Sequence, residues 1–214
     1  NKITKIENLD KLTNLQKLYL CSNQITKIEN LDKLTNLQIL YLYGNKITKI
    51  ENLDKLTNLQ ELQLSFNKIT KIENLDKLTN LQSLYLSSNK ITKIENLDKL
   101  TNLQMLDLDS NKIKELPLFL TEMRLAVFEY SDNPIEFIPL PVQRWLDRMN
   151  HRITKNNMVY SDGQNVHNHH IQNSFRNSLT NLFKDSNVLK IDTVRQNIID
   201  NNILTEQTKK AMLT

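Results

Sequence analysis

Three histidines, His167, His169 and His170, form the densest group of potential metal ligands in the 214-residue sequence. His167 and His170 would share one face of a helix, whereas His167 and His169 would share one face of a strand. A structural zinc site needs four good ligands in a tetrahedral arrangement, and the one cysteine, Cys21, is far away in the sequence. We therefore expect solvent-exposed or hydrogen-bonding histidines in a loop, with no metal site and no cofactor.

The sequence offers little for catalysis. Cys21 would need a neighbouring base to act as a nucleophile, but all four histidines lie beyond position 150. Two glycines are too few for a phosphate-cradling loop. Carboxylates such as Glu29 and Asp32 recur as identical copies along the chain, which favours a solvated surface over a unique acid and base. These features predict a protein that is not an enzyme.

Charge and hydrophobicity exclude further classes of function. The formal net charge is +4, but Lys alternates with Glu and Asp throughout, which argues against a nucleic-acid-binding stripe. No apolar run approaches the ~20 residues of a membrane span. One cysteine cannot build a disulfide framework and favours a reducing compartment. We therefore expect a cytoplasmic protein that binds neither nucleic acid nor membrane.

The stretch NKITKIENLDKLTNLQ begins at Asn1 and returns at Asn45, Asn67 and Asn89, and a copy with Gln24 in place of Lys begins at Asn23. The period is 22 residues, and the pattern L-x-x-L-x-x-L-x-L-x-x-N-x-I-x-x-I-x-x-L recurs in five copies. This pattern resembles a leucine-rich repeat of the 22-residue class over residues 1–138. The resemblance implies an α/β solenoid, a curved horseshoe with a parallel concave sheet and short convex helices or 3₁₀ turns, followed by a helical C-terminal region.

Each repeat also predicts its own local structure. Leu18 and Leu20 alternate with polar or variable residues, which indicates a short strand. The segment from Asn30 to Leu34 predicts a short helix or 3₁₀ turn, with Asn30 as its N-cap and an ion pair between Glu29 and Lys33. The ladder of asparagines at positions 23, 45, 67, 89 and 111 is interpreted as structural, because the resemblance implies that these amides bond the turn leaving the strand.

The composition divides the chain into three parts. Residues 1–110 hold five near-identical repeats, and residues 111–150 hold a divergent last repeat and a C-terminal cap. In this cap Val142, Trp145, Leu146 and Met149 predict a helix that covers the last coil, with Trp145 buried. Residues 151–214 are interpreted as a polar loop plus a truncated helical extension. The first coil has no comparable cover, which suggests that the natural protein extends upstream.

Variation among the five copies falls on four rows of positions. The first three rows flank the strand leucines and should point outward onto the concave sheet, because strand side chains alternate between faces. The first row is Lys17, Ile39, Glu61, Ser83 and Met105; the second is Tyr19, Tyr41, Gln63, Tyr85 and Asp107; the third is Cys21, Tyr43, Ser65, Ser87 and Asp109. The fourth row is Ser22, Gly44, Phe66, Ser88 and Ser110, in which Phe66 is interpreted as a core wedge.

Variation on one face favours a non-enzymatic module whose concave rows bind another protein. Tyrosines in these rows suit recognition, because each offers contact area with few torsions to freeze. The repeats are similar to those of the regulatory subunit of protein phosphatase 1, so a phosphatase regulator is one alternative. Another is the substrate-recognition part of a larger enzyme, such as a ubiquitin-transfer factor. Internalin-like bacterial adhesins share the period, but no export signal is visible.

The C-terminal segment VYSDGQNVHNHHIQNSF resembles the tail of leucine-rich-repeat proteins of giant amoeba-infecting DNA viruses. That resemblance implies the cytoplasm of a host cell as the location, and it implies no activity.

Overall fold

A computed structural model describes residues 2–157, with side chains described as far as residue 150. Six three-residue strands pair in sequence order as one parallel sheet. The strands are β1 (Lys17–Tyr19), β2 (Ile39–Tyr41), β3 (Glu61–Gln63), β4 (Ser83–Tyr85), β5 (Met105–Asp107) and β6 (Val127–Glu129). Each residue pairs with its equivalent one coil later, as Leu18 does with Leu40. The predicted solenoid with a parallel concave sheet is confirmed.

The strands form because their central leucines have a common core to enter. Leu40, Leu62 and Leu84 are fully buried, whereas the residues on either side of each remain partly exposed. A strand of three residues buries only one side chain and cannot persist alone. Stacking supplies the missing partners, so each coil is stabilised by its neighbours.

The convex side is built from tight turns. Backbone bonds of 2.9 Å run from Leu34 N–H to Leu31 O and from Leu37 N–H to Leu34 O, which is the spacing of a 3₁₀ turn. The predicted N-cap at Asn30 is wrong: its φ is 58°, and its Nδ2 donates to Ile6 O of the preceding coil at 2.7 Å. An N-cap has an extended backbone and accepts a bond from its own helix.

The convex ion pairs also differ from the prediction. Lys33 Nζ lies 3.9 Å from the carboxylate of Asp32, its neighbour in sequence, and not beside Glu29 as predicted. A four-residue spacing aligns side chains only on a continuous α-helix, which these turns do not form. Both partners are well exposed, so the pair contributes little to the free energy of folding.

The asparagine ladder joins consecutive coils. Asn67 Nδ2 donates to Leu64 O of its own coil and to Leu42 O of the preceding coil, each at 3.0 Å. Its Oδ1 accepts a bond from Ile47 N–H, also at 3.0 Å. The amide therefore acts as donor and acceptor inside a buried turn, and the predicted structural role is confirmed.

A cap closes the array at its C-terminal end. A 3₁₀ helix (Leu118–Glu122) precedes β6, and the helix α1 (Leu140–Asn157) covers the last coil. Val142, Trp145, Leu146 and Met149 are all buried, as predicted, and the Trp145 ring centroid lies 5.7 Å from that of Phe128.

The described chain ends inside this cap helix. Because α1 continues to residue 157, the predicted boundary at 150 falls within the helix and residues 151–157 are not a loop. The remaining predictions for the tail, including the histidine cluster, lie outside the described residues. Within the described part, no helix has the length and apolarity to cross a membrane.

The first coil is packed less completely than the coils that follow. Ile3 is 40% exposed and Leu12 is 47% exposed, whereas their equivalents in the second coil, Ile25 and Leu34, are fully buried. The core positions of the first coil are therefore more exposed to solvent than those of the second.

Candidate functional site

The three outward-facing rows continue across all six coils, and we call them together the concave surface. Besides the fifteen predicted residues, the sixth coil adds Val127, Glu129 and Ser131. The pairing of Met105 with Val127 and of Asp107 with Glu129 places this coil in register with the others. The sequence already indicated a sixth coil, because the framework positions around Phe128 and Asn133 continue the repeat pattern.

Aromatic side chains dominate the N-terminal half of the concave surface. The rings of Tyr19 and Tyr41 meet edge to face with centroids 5.0 Å apart. The Tyr41 hydroxyl donates a bond of 2.5 Å to Glu61 Oε1. This bond, with partial burial and the nearby Glu61 charge, raises the pKa of Tyr41 far above its usual range. Tyr41 is therefore a neutral, oriented phenol across the physiological pH range.

Carboxylates dominate the C-terminal half. Asp107 Oδ1 accepts a bond from Asp109 N–H at 3.0 Å, and Asp109 Oδ1 accepts one from Ser131 N–H at 2.6 Å. Burial raises the pKa of Asp109, and the charges of Asp107 and Asp132 act in the same direction, while the bond from Ser131 opposes them. These contacts hold the carboxylates of Asp107, the last residue of β5, and of Asp109, where the chain leaves that strand.

The charge of the concave surface is opposite to that of the whole chain. The surface carries Lys17 against the four carboxylates of Glu61, Asp107, Asp109 and Glu129, a formal charge of −3. The whole sequence has a formal charge of +4. The acidic surface was hidden in the composition, because only folding collects these four residues on one face.

One predicted residue is not accessible. Ser65 is only 2% exposed, and its Oγ accepts a bond of 2.8 Å from the Ser87 hydroxyl. Its backbone N–H donates to Gln63 Oε1 at 2.8 Å, so Gln63 also makes an internal bond. Ser65 is therefore removed from the candidate surface.

The fourth row lies where the chain leaves each strand, and the prediction for Phe66 is wrong. Phe66 is 53% exposed instead of buried, and its ring packs on that of Tyr43 with centroids 5.0 Å apart. Tyr43 is itself 38% exposed. The two residues form an aromatic pair at the rim of the concave surface. The sequence signal for this exposed position was that the other four of the first five coils hold only Ser or Gly there.

The described residues offer no arrangement for metal binding. Among them, no three His, Cys, Asp or Glu side chains come close enough together to hold a metal ion. Cys21 is a free, partly buried thiol on the concave surface. The chemistry that the concave surface can supply is recognition by aromatic contact and by charge.

The sequence matches the family model described as leucine-rich repeats (2 copies) over residues 1–33, 35–77 and 79–120. No curated protein matches the chain in sequence.

Several solved structures share the fold. An internalin, InlF, of Listeria monocytogenes is 29% identical with a TM-score of 0.61, over 69% of this chain and 43% of that one. Internalin C2 of the same organism is 36% identical with a TM-score of 0.60, over 64% of this chain and 60% of that one. A leucine-rich-repeat protein of Leptospira interrogans is 32% identical with a TM-score of 0.59, over 66% of this chain and 36% of that one. The chain thus spans less than two thirds of each of these structures.

Proposed function

Because the chain belongs to the leucine-rich-repeat family, we propose that it is a non-enzymatic module whose concave surface binds a partner protein. Leucine-rich-repeat proteins such as the internalins are protein-interaction modules. The partner meets the sheet face that displays the three variable rows.

The observation that carries this proposal is where the near-identical coils differ. Lys33 and its copies Lys55 and Lys77 are exposed on the convex side, yet this position holds Lys in every one of the five coils. The concave rows are also surface positions, yet they change from coil to coil. Random drift would affect both surfaces alike, whereas diversification for binding acts on one.

Tyr41, Tyr43 and Tyr85 are the proposed anchors. A few aromatic side chains usually supply most of the binding energy of an interface. Tyr41 is oriented by its bond to Glu61, so little side-chain freedom is lost when a partner binds. The acidic C-terminal half favours a partner with a basic patch, because complementary charges steer the encounter.

The test replaces all three tyrosines by serine and measures how much partner the immobilised protein captures from cell lysate. We expect strongly reduced capture, with an unchanged circular dichroism spectrum and a nearly unchanged unfolding midpoint, since these side chains lie outside the core. The matched control replaces Lys33, Lys55 and Lys77 by serine and should leave capture intact. If the convex variant loses the partner and the concave variant keeps it, the proposal is wrong.

Two narrower functions fall within the same proposal. A phosphatase regulator would change the activity of a purified phosphatase catalytic subunit through the concave surface. A substrate-recognition unit would instead capture proteins without altering that activity and would act beside an enzymatic segment outside this chain. From the resemblance of the tail to giant-virus proteins, we propose the cytoplasm of a host cell as the location of either one.

A further inference from the structure

Phe66 has a backbone conformation that all residues of its row share but that is unfavourable for a bulky side chain. The five residues of the fourth row and their equivalent in the sixth coil, Asp132, lie in the left-handed region, with φ between 53° and 67°. These residues are Ser22, Gly44, Phe66, Ser88, Ser110 and Asp132. Five of them are small or short and polar, which this region tolerates, whereas a bulky residue here is an outlier.

The turn imposes this conformation. Asn67, the next residue, donates to Leu64 O at 3.0 Å and to Ser65 O at 3.3 Å, and these bonds hold the turn around position 66. A left-handed backbone is unfavourable for a residue with a side chain, relative to a right-handed one. Gly44 occupies the same place in the second coil, so glycine fits the turn without this cost.

Burial does not offset the strain. The Phe66 side chain is 53% exposed, and its ring contact is with Tyr43, which also remains exposed to solvent. Beyond the area it buries, the contact between two aromatic rings stabilises the folded state only modestly. The turn itself does not require phenylalanine, since serine or glycine holds the same left-handed position in other coils.

We infer that the paired rings of Tyr43 and Phe66 form an apolar platform on which an apolar side chain of an extended segment of the partner packs, and that basic residues of the same segment reach Asp107 and Asp109. The inference rests on the proposed function, because it assigns the chemistry of the partner for the same face. It adds Phe66, a rim residue outside the three concave rows, to the proposed interface. It also states that basic residues of the partner lie near the apolar side chain that contacts Phe66.

Charge and spacing identify the segment. The concave surface carries four carboxylates and one lysine, and two of the carboxylates lie on coil five. Phe66 lies on coil three, so the two sites are two strand spacings apart, about 10 Å at ~4.8 Å each. An extended chain advances ~3.3 Å per residue. The basic residues therefore lie about three positions from the apolar anchor.

The probes are three fluorescent peptides of about ten residues, slightly longer than the roughly eight residues that an extended chain needs to cross the six coils. The first carries one tryptophan and, three residues on, two adjacent arginines in a background of glycine and serine. The second has alanine in place of tryptophan, and the third has glutamates in place of the arginines. We expect the first to bind best, and its binding to weaken as salt is added, because exposed charges are screened.

Variants of the full chain locate the site. Phe66→Gly should weaken binding of the first peptide by about tenfold, the scale of one lost aromatic contact. Its unfolding midpoint should stay level or rise, because the strain is relieved. Asp107→Asn with Asp109→Asn should weaken binding of the first peptide and strengthen the weak binding of the third, because repulsion of its glutamates is removed. Phe137→Ser is the control, since Phe137 is equally exposed, at 53%, and lies outside the concave surface.

Three outcomes overturn the inference. They are equal binding of the first peptide to Phe66→Gly and parent, no preference of the parent for the first peptide over the other two, and a fall in the Phe66→Gly midpoint of the size a core residue gives. Comparison of two variants distinguishes failure of this inference from failure of the proposed function. If the triple tyrosine variant loses its partner while Phe66→Gly keeps it, the apolar platform is wrong and concave binding stands; if both keep the partner, concave binding is wrong as well.

Discussion

Asp109 is a residue at which binding and stability are in conflict. Its carboxylate is partly buried near Asp107 and Asp132, so its pKa in the folded state is raised above the ordinary value. A carboxyl group whose pKa is raised by folding favours the native state while it is protonated. That contribution is present at low pH and is lost as the pH rises through the folded pKa, so the charge destabilises the protein at neutral pH.

Asp109→Asn should therefore raise the unfolding midpoint at pH 7 and leave it nearly unchanged at pH 3. The asparagine Oδ1 can still accept the bond from Ser131 N–H, which Asp109 accepts at 2.6 Å. Denaturant unfolding at the two pH values measures the difference. Asp54→Asn, the same change on the exposed convex side, is the control and should leave the midpoint at pH 7 nearly unchanged. A stabilisation of equal size at both pH values would contradict the assignment to charge.

At the scale of elements, α1 acts as the cover of the last coil. Trp145 is 7% exposed and lies against Phe128, the strand residue that corresponds to the leucines of the other coils. The stability of a stacked array is approximately a sum over coils and their interfaces. Loss of this cover should therefore loosen the nearest coil first and leave the middle of the array intact.

Trp145→Ala should cost about 3–5 kcal/mol of unfolding free energy, because a large buried side chain is removed and the cavity closes only in part. Amide hydrogen exchange should accelerate in residues 113–138 more than in residues 45–75. Arg144→Ala, one position away and exposed, should change the free energy by no more than about 0.5 kcal/mol. Uniform acceleration along the whole array would show instead that the described coils unfold as one unit.

Across the described chain, packing is tighter in the middle than at the first coil. In the third coil, Gln60 N–H donates to Gln38 O on one side, and Leu64 N–H donates to Tyr85 O on the other, each at 2.8 Å. Strand β1 has a neighbouring strand on one side only. Leu12 is 47% exposed, whereas Leu56 of the third coil is fully buried.

Amide hydrogens of residues 2–20 should therefore exchange faster than those of residues 56–76. Local opening at an uncovered end breaks one set of coil contacts, whereas opening in the middle breaks two. Exchange measured by mass spectrometry on the monomer tests this difference. Equal protection of the two segments would mean that the first coil is covered in solution.

The sequence by itself determined the period, the strand positions, the direction of the leucines, the asparagine ladder and the helix that buries Trp145. These features follow from spacing alone, because a stacked coil repeats one local pattern and buries the same positions against equivalent neighbours. The outward direction of the rows that hold Tyr41 and Asp107 follows from the same alternation.

Only the tertiary structure decided how Phe66, Asn30 and Ser65 are placed. Phe66 is exposed because its turn holds a left-handed backbone. The residue types of that coil do not predict the sign of φ at position 66. Asn30 bonds the preceding coil, and Ser65 is covered and bonded by a residue one coil later, both contacts between positions more than twenty residues apart. Local patterns predict which way a side chain points along its own strand, but what it then meets depends on the neighbouring coils and on the turn between them.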